Sequence, residues 1–233
     1  SSYIFMCLGG LLALGIRTQL AVPNDTLIPN ALYNQLFTMH GTTMIFFFVM
    51  PMLAGFANYA MPLQIGAADM AFPRINALSF WIIPVSGLLL FSGFAFGGAA
   101  SAGWTSYSPL AEAKYSGIGQ DLWILALLLN GMSSILGAIN MLVTIFKLRA
   151  PGMTMLRLPI FVWTGLVTAV LLVFAVPVLA SGLVMLFIDR NYGGSFFDQA
   201  AGGESGFDIR GIAHGDAEAV DCRLHRHPAH VEG

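Results

Sequence analysis

Long apolar runs, broken by short polar segments, occupy the first 188 residues of the chain. Four of these runs are long enough to cross the hydrocarbon core of a bilayer, which takes about 20 apolar residues. They cover approximately Tyr33–Met61, Ala77–Gly97, Leu122–Phe146 and Pro159–Ile188. A shorter apolar run, Tyr3–Ile16, precedes them and ends at Arg17. The pattern predicts an all-α fold, a polytopic transmembrane helix bundle of about five segments of which the first is truncated.

Composition supports a membrane protein and divides the chain in two. Hydrophobic residues make up 57% and charged residues 9% of the sequence, whereas soluble domains carry about 25% charged residues. Residues 1–188 hold 10 of the charged residues and residues 189–233 hold 12. We expect a transmembrane domain over residues 1–204, placed in a lipid bilayer, and a polar tail over residues 205–233 that is disordered or out of frame. A net charge of -2 gives no reason to expect nucleic acid as a partner.

Basic residues in the loops predict the orientation. The loops after the first and third full-length segments carry Arg74 and Lys147, Arg149 and Arg157, whereas the opposite loops carry Arg17 and Lys114. Because Lys and Arg are enriched on the cytoplasmic side, the first set of loops is expected there. This places the front of the first full-length segment near the outer surface.

His40 is the one histidine in the apolar body of the chain, near the outer end of its segment. An ionisable side chain inside a membrane helix is costly and usually functional. Gly41, Met44 and Phe47 are suited to the flat apolar surroundings of a haem, which takes a neutral imidazole nitrogen on its iron. His40 is therefore a candidate axial haem ligand. A polar residue that bonds to a backbone carbonyl in the bundle is the alternative.

Asp69, in the loop after that segment, begins a possible polar path into the bilayer. The other members of this path are Asn58, Asn76, Asn140, Ser133 and Ser134. Such residues hold water without carrying charge, but small polar residues also serve as ordinary packing contacts between membrane helices. Asp69 could equally pair with Arg74 in the loop.

Three further features have both plain and functional interpretations. Arg17 and Trp104 are expected on the outer side, where Arg and Trp are common interfacial anchors; they could also bind the polar edge of a cofactor. The tail sequence CRLHRHPAH holds residue types that suit zinc or copper. Its irregular spacing argues against a metal site. These tail residues are Cys222, His225, His227 and His230.

Several motifs together resemble one known family. The stretch LYNQLFTMHGTTMIFFFVMPMLAGFANYAMPLQIGAADMAFPRINALSFW is similar to helices II and III of subunit I of the haem–copper oxidases. GWTSYSPL, SSILGAIN, LRAPGMTM, LPIFVWT, PVLASGLVMLFIDRN and FFDQAAGG continue the resemblance in order. It covers roughly residues 1–204 and is closest in character to a bacterial cytochrome c oxidase.

The resemblance implies a role for each site residue. His40 matches an axial ligand of the low-spin haem, which would be haem a, and so binds its iron. Arg17 matches the arginine at the haem formyl group, and Trp104 matches the tryptophan near the haem propionates. The proton path would begin at Asp69. It would continue along residues that match a gate of asparagines and the serines near deeper waters: Asn58, Asn76, Asn140, Ser133 and Ser134.

The implied function is that of cytochrome c oxidase subunit I in a bacterial inner membrane. Electrons would pass from cytochrome c through haem to oxygen, which is reduced to water while protons are pumped; subunits II and III would be further partners. A quinol oxidase of the same superfamily is the close alternative. A non-enzymatic transporter is another, although no internal repeat supports it.

The resemblance stops after residue 204. Relatives are expected to continue with Trp-Gln-His and Gly-His-Pro-Glu-Val-Tyr, whereas this chain continues with SGFDIRGIAHG. Ligands for the second haem and for copper are therefore expected to be missing, with no catalytic residue in the fragment. The expectation is a fragment that is inactive alone, and a truncated, inactive gene product is a further possibility. Ala77 also stands where many relatives have a second asparagine.

Overall fold

The computed structural model describes residues 2–21, 27–194 and 196–197, and these residues form helices joined by loops. In chain order the helices are α1 (Ser2–Gln19), α2 (Asn30–Thr42), a π-turn (Thr43–Val49), α3 (Met50–Ile65), α4 (Pro73–Ser92), α5 (Ile118–Lys147), a short 3₁₀ helix (Met155–Arg157) and α6 (Ile160–Tyr192). No strand occurs in this part of the chain. The polar tail of residues 205–233 lies outside the described residues, as do the candidate metal ligands in it.

Within the described residues, four continuous helical segments are long and apolar enough to cross a membrane, which confirms the predicted polytopic bundle. They are Asn30–Ile65, made of α2, the π-turn and α3, then Pro73–Ser92, Ile118–Lys147 and Ile160–Tyr192. The predicted end of the second of these segments was wrong, because α4 ends at Ser92 and not near Gly97. After Ser92 the N–H groups of Phe94, Ala95 and Phe96 bond to the carbonyls three residues back, so successive turns replace the α-helix. Gly97 and Gly98 follow these turns with φ angles of 98° and 129°, a backbone region that favours glycine.

Two buried clusters hold the helices together. The first cluster joins α1, the π-turn, α4 and α5 through large side chains such as Phe5, Phe47, Leu90 and Trp123. It favours a glycine at position 87, since a Cβ there would lie 2.2 Å from Phe5 Cζ. The second cluster joins α3, α5 and α6. Its buried members are Met61, Ile65, Ile145, Leu158, Val162 and Leu166.

The helices run antiparallel, so alternate loops lie at the same end. The Ala150 N–H, in the loop after α5, donates to Ile65 O at the end of α3 (2.9 Å). The loop that carries Asp69 therefore lies beside the basic loop after α5. This agrees with the grouping of the two loops by their basic residues.

Arg190 ties the opposite end of the bundle together. Its Nε donates to Asp121 Oδ1 at 2.7 Å, and the Arg190 side chain is only 3% exposed. Its remaining N–H groups donate to Ser116 Oγ and to the carbonyls of Ala111, Ser116 and Gly117. The guanidinium thus joins the end of α6 to the start of α5 and to the preceding loop. It also satisfies carbonyls that belong to no helix.

Replacing Arg190 with leucine is expected to destabilise the bundle, because Asp121 and the loop carbonyls lose their partner. Breaking one side of a buried ion pair costs about 3–5 kcal/mol. The measurement is the thermal unfolding midpoint of the membrane complex that contains the chain. Arg157→Leu, at an exposed arginine, is the matched control. Equal changes in the two variants would show that Arg190 does not hold the bundle together.

Candidate functional site

His40 lies near the end of α2 and is half-buried. Its Nδ1 lies 2.9 Å from the backbone oxygen of Gly9 on α1. Because a carbonyl oxygen only accepts, Nδ1 carries the proton in this hydrogen bond. In the neutral imidazole with this tautomer, Nε2 is the nitrogen that carries a lone pair, and it has no hydrogen-bond partner among the described residues. A neutral imidazole oriented through Nδ1–H is the form that ligates a metal.

Two glycines near His40, Gly9 and Gly41, allow other side chains to pack directly against the helix backbone. A Cβ on Gly9 would lie 2.7 Å from Met44 Sδ. A Cβ on Gly41 would lie 3.2 Å from Trp104 Cδ1, so the indole packs directly on the helix beside His40. The Gly103 N–H, next to Trp104, donates to Thr38 Oγ1 at 2.9 Å and tethers the loop to α2. The structure therefore brings His40 and Trp104 together.

Arg17 is farther from this group. It is exposed on α1, about two turns beyond Gly9. No hydrogen bond or ion pair joins it to another described residue. Its contact with a haem formyl group therefore stays a prediction.

A cavity of about 700 Å³ opens between α3, α4, α5 and α6. Its polar lining residues are Asn58, Asp69, Asn76, Ser79, Asn130, Ser133, Ser134, Thr164 and Thr168. Asn58 Nδ2 donates to Asn76 Oδ1 at 3.0 Å, whereas Asn58 Oδ1 is buried without a protein partner. A buried amide oxygen at a polar cavity is a natural site for an ordered water.

The hydroxyl groups of Ser133 and Ser134 both donate hydrogen bonds to backbone carbonyls. Ser133 Oγ donates to Ser79 O at 2.6 Å, and Ser134 Oγ donates to Asn130 O at 3.0 Å. Each hydroxyl oxygen can still accept a hydrogen bond. Together with Asn58 Oδ1, these oxygens form a series of uncharged acceptors along the cavity.

Asp69 is exposed and lines the cavity from its loop. Its Oδ1 accepts the Met70 N–H at 2.7 Å. The suggested ion pair with Arg74 is not formed, since the ion pair found in the described part of the chain joins Arg190 to Asp121. The Asp69 carboxylate therefore has no basic partner among the described residues and is accessible to solvent at the cavity.

Asn140 occupies a different place from the other predicted path residues. It is fully buried, and its Oδ1 accepts the Phe72 N–H at 2.8 Å while its Nδ2 donates to Phe72 O at 3.4 Å. One turn along α5, Thr144 Oγ1 accepts the Ala71 N–H at 2.9 Å. These N–H groups precede α4 and lack helical partners. Asn140 and Thr144 thus hold the Asp69 loop against α5, and the Asn140 amide is used by backbone and not by the cavity.

Two side chains outside the predicted site also bind across the bundle. Trp123 Nε1 donates to Thr42 Oγ1 at 2.9 Å, two residues from His40 in the sequence. Asn130, which is 4% exposed, donates from Nδ2 to Phe46 O at 3.2 Å. The sequence feature that could have identified Asn130 is its position in a mostly apolar run, one helical turn before Ser134. Among the described residues, no group of three His, Cys, Asp or Glu side chains could hold a metal ion.

Known proteins match most of the chain. Residues 1–209 match the family model described as Cytochrome C and Quinol oxidase polypeptide I. The chain is 50% identical over 205 residues to cytochrome c oxidase subunit 1 of Bacillus sp. (strain PS3), with 88% of this chain and 33% of that protein covered. It is 50% identical over 204 residues to cytochrome c oxidase subunit 1 of Corynebacterium efficiens, with 87% and 35% covered. For cytochrome c oxidase subunit 1 of Thermostichus vulcanus the identity is 49% over 204 residues, with 87% and 37% covered. The chain thus spans about a third of the length of these curated relatives.

Asn140→Leu and Thr144→Val are expected to loosen the Asp69 loop. Each leaves a backbone N–H without its buried partner, which costs about 1–3 kcal/mol. Amide hydrogen exchange at Phe72 in the first variant and at Ala71 in the second should accelerate roughly tenfold to a hundredfold. Thr168→Val is the control, because the Thr168 hydroxyl bonds only to its own helix. Unchanged exchange at both amides would contradict the proposed attachment of this loop.

Proposed function

We infer the function from one premise: this chain belongs to the family of cytochrome c and quinol oxidase polypeptide I, the haem–copper oxidases. We propose that it forms part of subunit I of a terminal oxidase, which passes electrons from cytochrome c to oxygen and pumps protons. The observation that carries the proposal is the state of His40. Its Nδ1–H is bound to Gly9 O, and its Nε2 is available for iron.

The residues around His40 fit a low-spin haem, and haem a is the form we propose. Nε2 of His40 would bind the iron. A side chain at Gly9 would meet Met44 and one at Gly41 would meet Trp104, so both glycines allow close packing next to His40; Trp104 would face the propionate edge. Arg17 would approach the formyl group from α1. When bound, the haem supplies one-electron transfer; the protein sets the tautomer and the orientation of the ligand through Gly9 O.

The second haem and the copper of the family are not assigned to this part of the chain. The described residues contain no cluster of three His, Cys, Asp or Glu side chains. We therefore propose no ligand for these groups here and no catalytic residue. We propose the reduction of oxygen for the assembled oxidase, since this chain spans about a third of the length of its curated relatives.

The cavity is proposed as the start of the proton path. Asp69 would collect protons at its exposed end, and water held by Asn58 and Asn76 would carry them inward past Ser133 and Ser134. The uncharged acceptors support this role because they hold water without trapping a charge in the membrane. Asn140 would contribute by holding the Asp69 loop, as its hydrogen bonds to Phe72 indicate.

The setting and the partners follow from the relatives and from the helix surfaces. Bacterial relatives named as cytochrome c oxidase subunit 1 support a bacterial inner membrane, cytochrome c as donor, and subunits II and III as partners. Exposed apolar side chains on the spanning helices, such as Leu53, Leu88 and Phe174, suit contact with lipid. The basic loops would face the cytoplasm, with His40 toward the outer side. Oxidation of reduced cytochrome c, and not of quinol, by the purified complex is the result expected for this donor.

Replacing His40 with alanine is expected to abolish the low-spin haem signal, because no other histidine lies in the described residues. The measurement is the optical spectrum of the reduced membrane complex. Gln64→Ala, at an exposed polar residue of the same spanning segment, should leave the spectrum intact. A His40→Ala complex that keeps the low-spin band would refute the proposed ligand.

Replacing Asp69 with asparagine is expected to lower both turnover and the number of protons pumped per electron. We expect a loss on the order of tenfold to a hundredfold in turnover, below the upper range of about 10²–10⁴ for a group at the reacting atoms. Proton release by reconstituted vesicles is the readout. Arg74→Gln, at an exposed neighbour, is the control and should pump normally. Normal pumping by Asp69→Asn would remove Asp69 from the path.

A further inference from the structure

One carbonyl in the first full-length spanning segment has lost both of its possible helical partners. In the π-turn the Met50 N–H bonds to Ile45 O, five residues back, and is therefore not used by Phe46 O as it would be in an α-helix. The partner of Phe46 O in a continued π-helix would be residue 51, which is proline and has no N–H. The Phe46 carbonyl thus needs a partner from outside its own helix.

Asn130 on α5 supplies that partner. Its Nδ2 donates to Phe46 O at 3.2 Å, and the side chain is 4% exposed. An unpaired carbonyl in a membrane interior is unfavourable, since neither lipid nor bulk water can bond to it. The Asn130 amide therefore stabilises the π-turn and offsets the N–H that Pro51 lacks.

The π-turn lies between two functional side chains of the same segment. His40 and Asn58 are 18 residues apart, which is about five whole turns of an uninterrupted α-helix, so both would lie on one face. A π-turn holds one more residue in its hydrogen-bonded loop, which rotates the two halves by about 100° relative to each other. His40 bonds to Gly9 on α1, whereas Asn58 bonds to Asn76 on α4 and lines the cavity.

We propose that Asn130 is a positioning residue for both halves of the site. By donating to Phe46 O it holds the π-turn, and the π-turn directs His40 to its haem-ligand position and Asn58 to the proton-conducting cavity. The inference rests on the proposed function and deepens it, because one amide then controls the geometry of electron transfer and of proton uptake together. A residue that only lined the cavity would affect proton uptake alone.

The test uses the membrane complex that contains the chain, with Asn130→Leu as the first variant. The expected result is a shift of the low-spin haem band and of its midpoint potential, together with a loss of pumped protons per electron. Ser134→Ala is the matched control: it lines the same cavity, but its hydroxyl bonds only to its own helix. It should leave the band and the potential in place. A loss of pumping by Asn130→Leu with an unchanged haem band would overturn the proposal.

Pro51→Ala provides the second arm. Alanine at position 51 has the backbone N–H that proline lacks, and this N–H can donate to Phe46 O in place of Asn130. Asn130→Leu should therefore shift the haem band less in the Pro51→Ala background than in the native one. Equal shifts in the two backgrounds would contradict the proposal. If Asn130→Leu alone does not assemble, assembly of the double variant supports the proposal and its failure contradicts it.

The haem-ligand role of His40 and the positioning role of Asn130 are tested by different results. A low-spin band that survives His40→Ala contradicts the proposed function itself. A band that depends on His40 but does not respond to Asn130→Leu contradicts only the positioning role of Asn130.

Discussion

A backbone polar group inside a membrane must find its partner within the protein, because lipid offers none. Regular helices meet this requirement along most of their length. Backbone groups without a helical partner lie where a helix is interrupted or ends. Pro51 leaves Phe46 O without an N–H, and Asn130 supplies the donor. The residues before α4 have amides outside the helix, and Asn140 and Thr144 accept from them.

The same requirement explains why the polar side chains of the bundle are placed as they are. At the end of the bundle opposite the Asp69 loop, the Arg190 guanidinium pairs with Asp121 and with carbonyls of the loop before α5. At His40 the acceptor is the backbone oxygen of Gly9, which takes the proton of Nδ1. A hydrogen bond that satisfies a half-buried imidazole would therefore also orient the proposed ligand. Because the same hydrogen bonds stabilise the bundle and orient the proposed site residues, a single substitution is expected to affect stability and function together.

Hydropathy was sufficient for the four spanning segments, since length and apolar composition alone separate them from the loops. It also isolated His40, because one histidine in an apolar segment is conspicuous. The end of α4 was predicted beyond Ser92, because the apolar sequence continues through Phe94 and Phe96 although the backbone there already forms turns. The hydrogen-bond partners in other helices could not be predicted from hydropathy. Periodicity does not tell whether Asn140 faces a cavity or the backbone of Phe72. It also does not tell that a π-turn precedes Pro51 or that Phe46 O accepts from Asn130 there. Those contacts join positions far apart in the sequence.

We propose that His40 is a haem ligand held by Gly9 O through Nδ1–H. The decisive measurement is an experimental structure of the membrane complex that contains this chain. We expect a macrocycle whose iron is bonded to His40 Nε2, with Nδ1 still within hydrogen-bond distance of Gly9 O. A structure in which His40 Nε2 instead bonds to a protein group, with no iron beside it, would contradict the claim.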